Sequence, residues 1–432
     1  MFKRLGPVMA VGLILSGCAA AVTQAPAPAP SDSSAMAALA QTPEIAAILD
    51  SIERDRAQGI DELIELTEIP APPFAEQARG ARFAQMLRDT GFGPVDIDEV
   101  GNVISVRRGR GNGKTVAVLA HLDTVFPAST DVTVKVDGIR YSAPGIGDNT
   151  RGLVLLLELA RAFVAHDVRT DADVWLVGNV GEEGLGDLRG VRHLFRADAP
   201  SITSLIAIDG GHPGRLVTDA VGSNRFRVSF TGAGGHSWGD FGQASPHHAL
   251  GTAIDLLHTR ARDVVATGPR TSFNVGRIGG GTSVNSIAFE SWMEVDLRSE
   301  SAKSLAWITR VFENAMRDAL TRHNAERQGG PALALDLKPI GQRPAGAANR
   351  DAPLVTHASQ ALEWFGFTPQ FVASSTDANI PISLGVPAVT MSRGGRSSRA
   401  HSLDEYWEDI DTHLSTQAVL LTLLANAGFS RP

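Results

Sequence analysis

The sequence predicts an α/β protein: a mostly parallel central sheet flanked by helices, interrupted by an inserted α+β unit. Three observations lead there. Continuous apolar runs such as Thr115–Val116–Ala117–Val118–Leu119–Ala120, Val174–Trp175–Leu176–Val177 and Leu205–Ile206–Ala207–Ile208 have the pattern of strands buried on both faces. These runs alternate with segments of helical periodicity, which can cover both faces of such a sheet. Between residues 221 and 338 the pattern shifts to period-two strands and longer helices in the order β-α-β-β-α-β, a split-βαβ arrangement.

The chain starts with Lys3 and Arg4, then an apolar run over residues 8 to 15 and Ser16–Gly17–Cys18. A basic start and a short apolar stretch read as a secretory signal, because a membrane span needs about 20 apolar residues. Leu15–Ser16–Gly17–Cys18 resembles the bacterial lipobox, which implies a signal peptide over residues 1–17 and a lipidated Cys18 facing the periplasm. Ala19 favours the outer membrane of a Gram-negative cell by the same resemblance. A buried cysteine beside an ordinary cleavage site is the plainer alternative. Residues 18–43, rich in Ala and Pro, read as an extended tether.

Residues 44–220 form the first part of the α/β unit. Helices are predicted over residues 43 to 68 and 75 to 91, separated by Pro70–Ala71–Pro72–Pro73, then over 153 to 164 and 188 to 195 between the strands. In the inserted unit, 225 to 230, 271 to 278, 287 to 297 and 332 to 337 are strand-like, and 246 to 262 and 302 to 323 helical. Residues 339–432 complete the α/β unit with a helix at 353 to 365, the strand Ala388–Val389–Thr390 and a closing helix at 414 to 427.

The 432 residues suffice for more than one core, and 43% hydrophobic with 20% charged content excludes wholesale disorder. A net charge of −8 argues against a nucleic-acid surface, which wants clustered Lys and Arg. With one cysteine there is no intrachain disulfide and no thiolate metal cluster. Any metal must be held by His, Asp and Glu.

Those residues gather at strand ends. The first buried strand runs into His121–Leu122–Asp123, the second toward Glu182–Glu183, and the third into Asp209–Gly210–Gly211, with Gly147–Asp148–Asn149 before a helix between them. Open α/β sheets bind ligands beyond the carboxyl ends of their strands. Several carboxylates and an imidazole in one crevice would be costly unless cations compensate them, and oxygen with imidazole ligation suits zinc, manganese or cobalt. Taken singly, Asp148 and Asp209 also read as helix N-caps, and Glu182–Glu183 as an acidic turn.

From about residue 45 to the end, the sequence resembles the M20 co-catalytic metallopeptidases, which include glutamate carboxypeptidase, succinyl-diaminopimelate desuccinylase, aminoacylase and peptidase T. The motifs are His121–Leu122–Asp123–Thr124–Val125, Gly147–Asp148–Asn149, Gly181–Glu182–Glu183–Gly184, Asp209–Gly210 and His401–Ser402–Leu403–Asp404–Glu405. The resemblance implies a zinc-exopeptidase-like fold with a ferredoxin-like lid and dimerisation domain. It implies two divalent ions, zinc with manganese or cobalt as alternatives, with Asp148 bridging, His121 and Asp209 on one, Glu183 and His401 on the other. Glu182 would be the general base on a shared water. Asp123 would accept a hydrogen bond from the His121 imidazole, and a cis or strained peptide would follow Asp148.

In the inserted unit, His236 of Gly234–Gly235–His236–Ser237–Trp238 matches the family histidine that reaches a dimer partner's site to stabilise an oxyanion. A turn histidine is the alternative. Asn285 and Arg298 match its substrate-carboxylate clamp, though Arg298 could equally pair with Glu300. The bulky Trp238–Gly239–Asp240–Phe241 departs from the family's small residues, and Ser374–Ser375–Thr376–Asp377–Ala378–Asn379 is similar to its peptidase branches. The resulting expectation is a homodimeric, lipid-anchored hydrolase of short peptides. The alternatives are an N-acyl-amino-acid hydrolase or carboxypeptidase, and, from another class, a non-catalytic binding lipoprotein.

Overall fold

In the central sheet, alternate residues of each buried strand belong to different cores. The computed structural model describes residues 33–430. Four strands, Asp173–Asn179, Thr115–His121, Ser204–Ile208 and Ala388–Met391, lie side by side in that order and run parallel. Val116, Val118 and Ala120 enter a large core on one face, while Ala117 and Leu119 enter a smaller one on the other. A strand buried on both sides has no use for polar alternation, which explains the continuous apolar runs. Antiparallel strands flank this block, Val103–Arg107 beside Asp173–Asn179 and Arg215–Ala220 beside Ala388–Met391.

The helices Gly152–Ala165 and Thr412–Ala427 are almost wholly buried on the larger core. Their sequences are apolar nearly all round, as expected of helices covered on every side. Parallel strands put all their carboxyl ends on one edge, so His121, Asn179, Ile208 and Met391 finish together.

A second, wholly antiparallel sheet is made by Thr271–Gly280, Glu290–Ser299, Gly222–Thr231 and Ala334–Arg343, in that order. Burial alternates along Glu290–Ser299, and Met293, Val295 and Leu297 pack under the helices Pro246–Ala266 and Ala302–Glu326. The last strand continues to Arg343, beyond the run at 332 to 337 that the sequence pattern marks.

Other elements differ from the sequence expectation. The segment read as extended tether is helical over Ser33–Ala40. Its alanines favour a helix, and Met36 and Ala40 are buried in the main core, so tertiary packing overrides the tether reading. The helix expected over 43 to 68 is two helices, Pro43–Arg54 and Arg56–Thr67, meeting at Asp55. Arg215–Ala220 and Gln370–Ser374, which pair in parallel, carry too few apolar residues to stand out. The expected signal segment and Cys18 lie outside the described residues.

Gly178, next to last in its strand, leaves room for the Phe83 ring, from which an added Cβ would lie 2.7 Å away. Gly178→Ala is expected to destabilise the protein by about 1–3 kcal/mol, as overpacking does. Urea unfolding checks this, and an unchanged midpoint would contradict it.

Candidate metal centre

The shared edge of the four parallel strands opens into a cavity of about 410 Å³ lined by Asp148, Glu182, Glu183, Asp209 and His401. His121 is 1% exposed and ends its strand. Its Nδ1 donates to the backbone carbonyl of Asp123 at 2.9 Å, because a carbonyl oxygen can only accept. That leaves Nε2 for the centre, where it is buried with no hydrogen-bond partner, 3.4 Å from Asp148 Oδ1.

The Asp123 carboxylate therefore has a different task from the expected one. It stands 3.7 Å from the imidazole and accepts instead from the backbone N–H groups of Glu182 (3.0 Å) and Glu183 (2.8 Å). These amides lie just past the neighbouring strand and need acceptors, and Asp123 is the buried acceptor within reach.

Asp148 faces two histidines. Oδ1 lies toward His121, and Oδ2 is 3.3 Å from His401 Nε2. His401 Nε2 is also 2.9 Å from Glu183 Oε1. Hydrogen bonds to Asp148 and Glu183 push the His401 pKa up to about 10. Burial, outweighing the bond from His401, pushes Glu183 up to about 7. Burial works against ionised Asp148, but Arg393, His121 and His401 together hold it well below the usual carboxylate range. The loop carrying Asp148 is fixed by Glu405, fully buried, whose two oxygens accept from the N–H groups of Gly145, Gly147 and Asp148 at 2.8 to 3.0 Å. The peptide bond after Asp148 is cis.

His121, Asp148 and Glu183 each offer a ligand atom, all within 4.8 Å of one another. Divalent cations fit this donor set. It combines hard carboxylate oxygens with imidazole, it has an orphaned Nε2, and one carboxylate turns its two oxygens to separate histidines. Asp209 lies outside that close group. Arg393, arriving from the fourth parallel strand and 3% exposed, places Nη1 3.1 Å from both Asp148 Oδ1 and Asp209 Oδ1. Burial and the charge of Asp148 raise the Asp209 pKa.

Glu182 is buried beside the group and bound by Arg343, whose Nη1 is 2.9 Å from Oε1 and whose Nη2 donates to the Glu182 carbonyl. Asp377, 3% exposed, accepts from Asn179 Nδ2 at 2.9 Å. Burial, reinforced by the charge of Glu182, pushes its pKa up to about 8.

Of the expected substrate residues, Arg298 lines the cavity, and its Nε is held by Asp296 at 2.6 Å rather than by Glu300. His236 and Asn285 do not line it. They meet on a small separate pairing, where Ser237 N–H donates to the Asn285 carbonyl at 3.0 Å and His236 pairs with Ser286. The sequence reading missed Arg343, Arg393 and Glu405 as contributors. The rule that found the other groups would have found Arg393, which lies two residues past the buried strand Ala388–Met391.

The sequence model described as Peptidase family M20/M25/M40 matches residues 117–426. Carboxypeptidase G2 of Pseudomonas sp. (strain RS-16) is 25% identical over 205 residues, covering 46% of this chain and 47% of that enzyme. The match thus spans about half the length of that curated relative. Among solved structures, the aminopeptidase PepT of Bacillus cereus ATCC 10987 aligns with a TM-score of 0.67 and 19% identity over 85% of this chain and 97% of that one. A tripeptidase of Staphylococcus aureus subsp. aureus Mu50 gives 0.67 and 20% identity, covering 85% and 98%. The dipeptidase Dug1p of Saccharomyces cerevisiae gives 0.65 and 14%, covering 88% and 98%. These likenesses show the fold.

The centre generates two expectations for the metal-free protein. Arg393→Gln leaves Asp148 and Asp209 facing without their shared cation, so its stability should fall by on the order of 3 kcal/mol. The melting-temperature gain on adding zinc should exceed that of the parent, and an equal gain would show that Arg393 does not offset the charge of Asp148 and Asp209 in the metal-free protein. For Asp377, the folded pKa of about 8 lies above the ordinary 3.8. The folded state therefore binds the extra proton, and stability is lost as pH rises from about 4 through 8. Asp377→Asn should flatten the fall in melting temperature between pH 5 and 9, and a parallel pair of curves would refute this.

Proposed function

This chain belongs to peptidase family M20/M25/M40, and from that membership we propose that it is a two-metal hydrolase that cleaves the amide bonds of short peptides as an exopeptidase. The observation that carries the reading is Asp148, with one oxygen 3.4 Å from His121 and the other 3.3 Å from His401. A carboxylate presented this way can bridge two cations.

His121 and Asp209 would hold one metal, Glu183 and His401 the other, with Asp148 shared. When bound, such metals polarise the amide carbonyl and make water a stronger acid near neutral pH. The remaining work falls to side chains of this protein. Glu182 lies against the ligand group and accepts a proton from the attacking water through Oε2, since Arg343 takes Oε1. It then returns that proton to the leaving nitrogen. Arg343 fixes the orientation of Glu182 by binding both its carboxylate and its carbonyl. Arg298, with both terminal nitrogens clear of its bond to Asp296, suits a substrate carboxylate.

A second reading, hydrolysis beside a free C-terminal carboxylate in a peptide or N-acyl amino acid, is favoured by the place of Arg298 in the cavity and the match to a carboxypeptidase. The reading includes a homodimer through the inserted unit, in which His236 and Asn285 complete a partner's site. Exposed Trp238, Phe241 and Val284 beside them support it, because large apolar side chains gathered on a surface suit a protein partner. Lipid anchoring at Cys18 in the envelope rests on the sequence of the first residues.

Glu182→Gln is expected to retain zinc, measured by elemental analysis, while turnover of dipeptides and tripeptides falls on the order of 10³-fold. A variant that keeps both metal and turnover would sink the proposed role of Glu182.

A further inference from the structure

The segment from Ser374 to Asn379 meets the chain at both places where it passes between the two sheets. The first passage is Val221, between the central-sheet strand Arg215–Ala220 and the inserted strand Gly222–Thr231. The second is Pro344 with Ala345, between the inserted strand Ala334–Arg343 and the short strand Gly346–Ala347, which pairs back onto Arg215–Ala220. The two passages lie against each other, since a Cβ added to Gly222 would stand 2.6 Å from the Ala345 nitrogen.

Asn379 joins them. It is fully buried, and its Nδ2 donates to the Val221 carbonyl at 2.9 Å and to the Pro344 carbonyl at 3.0 Å. Its Oδ1 accepts from the Thr376 N–H at 3.0 Å, so both donors and the oxygen of the amide are engaged. No other side chain of this size supplies two N–H groups while its own oxygen accepts. The same segment holds the passages at two more points. The Val221 N–H donates to the Ser374 carbonyl at 2.9 Å, and Arg343 Nη1 donates to Ser375 Oγ at 3.0 Å as well as to Glu182.

We infer that Asn379 is a positioning residue for Glu182: by tying the two passages together it holds Arg343 in place, and Arg343 orients the base. The inference rests on the hydrolase reading above for the role of Glu182. Arg343 has little backbone freedom of its own. It pairs with Ser223 at the end of its strand, and the proline that follows restricts it to extended conformations. Where its guanidinium lies therefore depends on where Pro344 is fixed, one residue on, and Asn379 fixes the Pro344 carbonyl. Without the amide, two half-buried carbonyls lose their donor. The passage that carries Arg343 is then free to move away from Glu182.

The test uses the full-length protein and three variants. Asn379→Leu is close to asparagine in size but has no donors, Asn379→Ser keeps one donor, and Leu424→Ala weakens the large core instead. Hydrogen exchange in the metal-free proteins is read at the Glu182 and Glu183 amides, which are bonded to Asp123. With each protein held the same interval below its melting temperature, these amides should exchange about tenfold faster in Asn379→Leu than in Leu424→Ala. Asn379→Ser should show a smaller increase. Equal exchange in the asparagine and leucine variants overturns the inference. In the zinc-loaded proteins, kcat for dipeptides and tripeptides should fall about tenfold in Asn379→Leu with KM within about twofold, as a misplaced base would give. Added to Arg343→Gln, the same substitution should cost little more, because both act on one contact. Losses that multiply overturn the route through Arg343. If peptides are cleaved and kcat does not move, the positioning role fails and the hydrolase reading stands. If the parent cleaves no peptide while Asn379→Leu still frees the Glu182 amide, the clamp on that segment stands and the hydrolase reading fails.

Discussion

Concentrated negative charge at the carboxyl edge of four parallel strands is the constraint on which the rest of this structure depends. Asp123, Asp148, Glu182, Glu183, Asp209, Asp377 and Glu405 are all in or around one crevice, and most are buried. Carboxylates in such a place must be protonated, hydrogen-bonded or paired with cations. The protein uses all three. Asp377 takes the first course, with its pKa raised to about 8 chiefly by burial. Asp123 and Glu405 take the second, spending their oxygens on backbone N–H groups that would otherwise be orphaned. Glu182 and Asp209 take the third, through Arg343 and Arg393.

The same constraint shapes the scaffold behind the site. Arg79, fully buried, donates to the carbonyls of Thr67, Ile69 and Leu122, and burial lowers its pKa to about 10 while Asp123 supports its charge. It thereby ties the end of the His121 strand to the turn between two helices. Asp148 is positioned by Glu405 from a segment more than two hundred residues later, and Glu183 by Asp123 from the neighbouring strand. Asp148, Glu183 and Asp209 are each held by a buried acid or arginine that would not itself touch a metal. Such supporting contacts fix side-chain geometry before any ligand arrives.

How much of this is legible in the sequence follows from the same physics. The parallel strands are legible because burial on both faces forces continuous apolar runs, and the groups following three of them could be collected by the strand-end rule. Arg393 obeys that rule too, but an arginine does not resemble a metal ligand, so the logic of coordination passes over it. Arg343 was hidden differently. It ends a half-exposed strand of the inserted unit, and only the tertiary arrangement brings it to Glu182. Asp123 shows the limit of local geometry. Its placement two residues from His121 suggested a carboxylate–imidazole bond, but its own backbone carbonyl takes that role. The helix at Ser33–Ala40 escaped because composition suggested a tether where a few buried side chains decide otherwise.

The two sheets divide the chemistry between them. The mixed central sheet and its loops present His121, Asp148, Glu183, Asp209 and Arg215, whereas Arg225, Arg298 and Arg343 come from strands of the inserted unit. The contacts between them fall on the segment that carries Glu182. Arg225 Nη1 donates to the Gly184 carbonyl at 2.6 Å, Gln342 N–H to Asp187 Oδ1 at 2.9 Å, and Arg343 grips Glu182 itself. The inserted unit is therefore fastened at the segment that carries Glu182, beside the candidate metal ligands. Arg225, Arg298 and Arg343 line the cavity without belonging to the close group of candidate ligands. Substituting Arg343 removes a direct partner of Glu182, and substituting Arg225 removes a bond to the Gly184 carbonyl two residues on. The negative charge at this edge gives the arginines of the inserted sheet a reason to dock here.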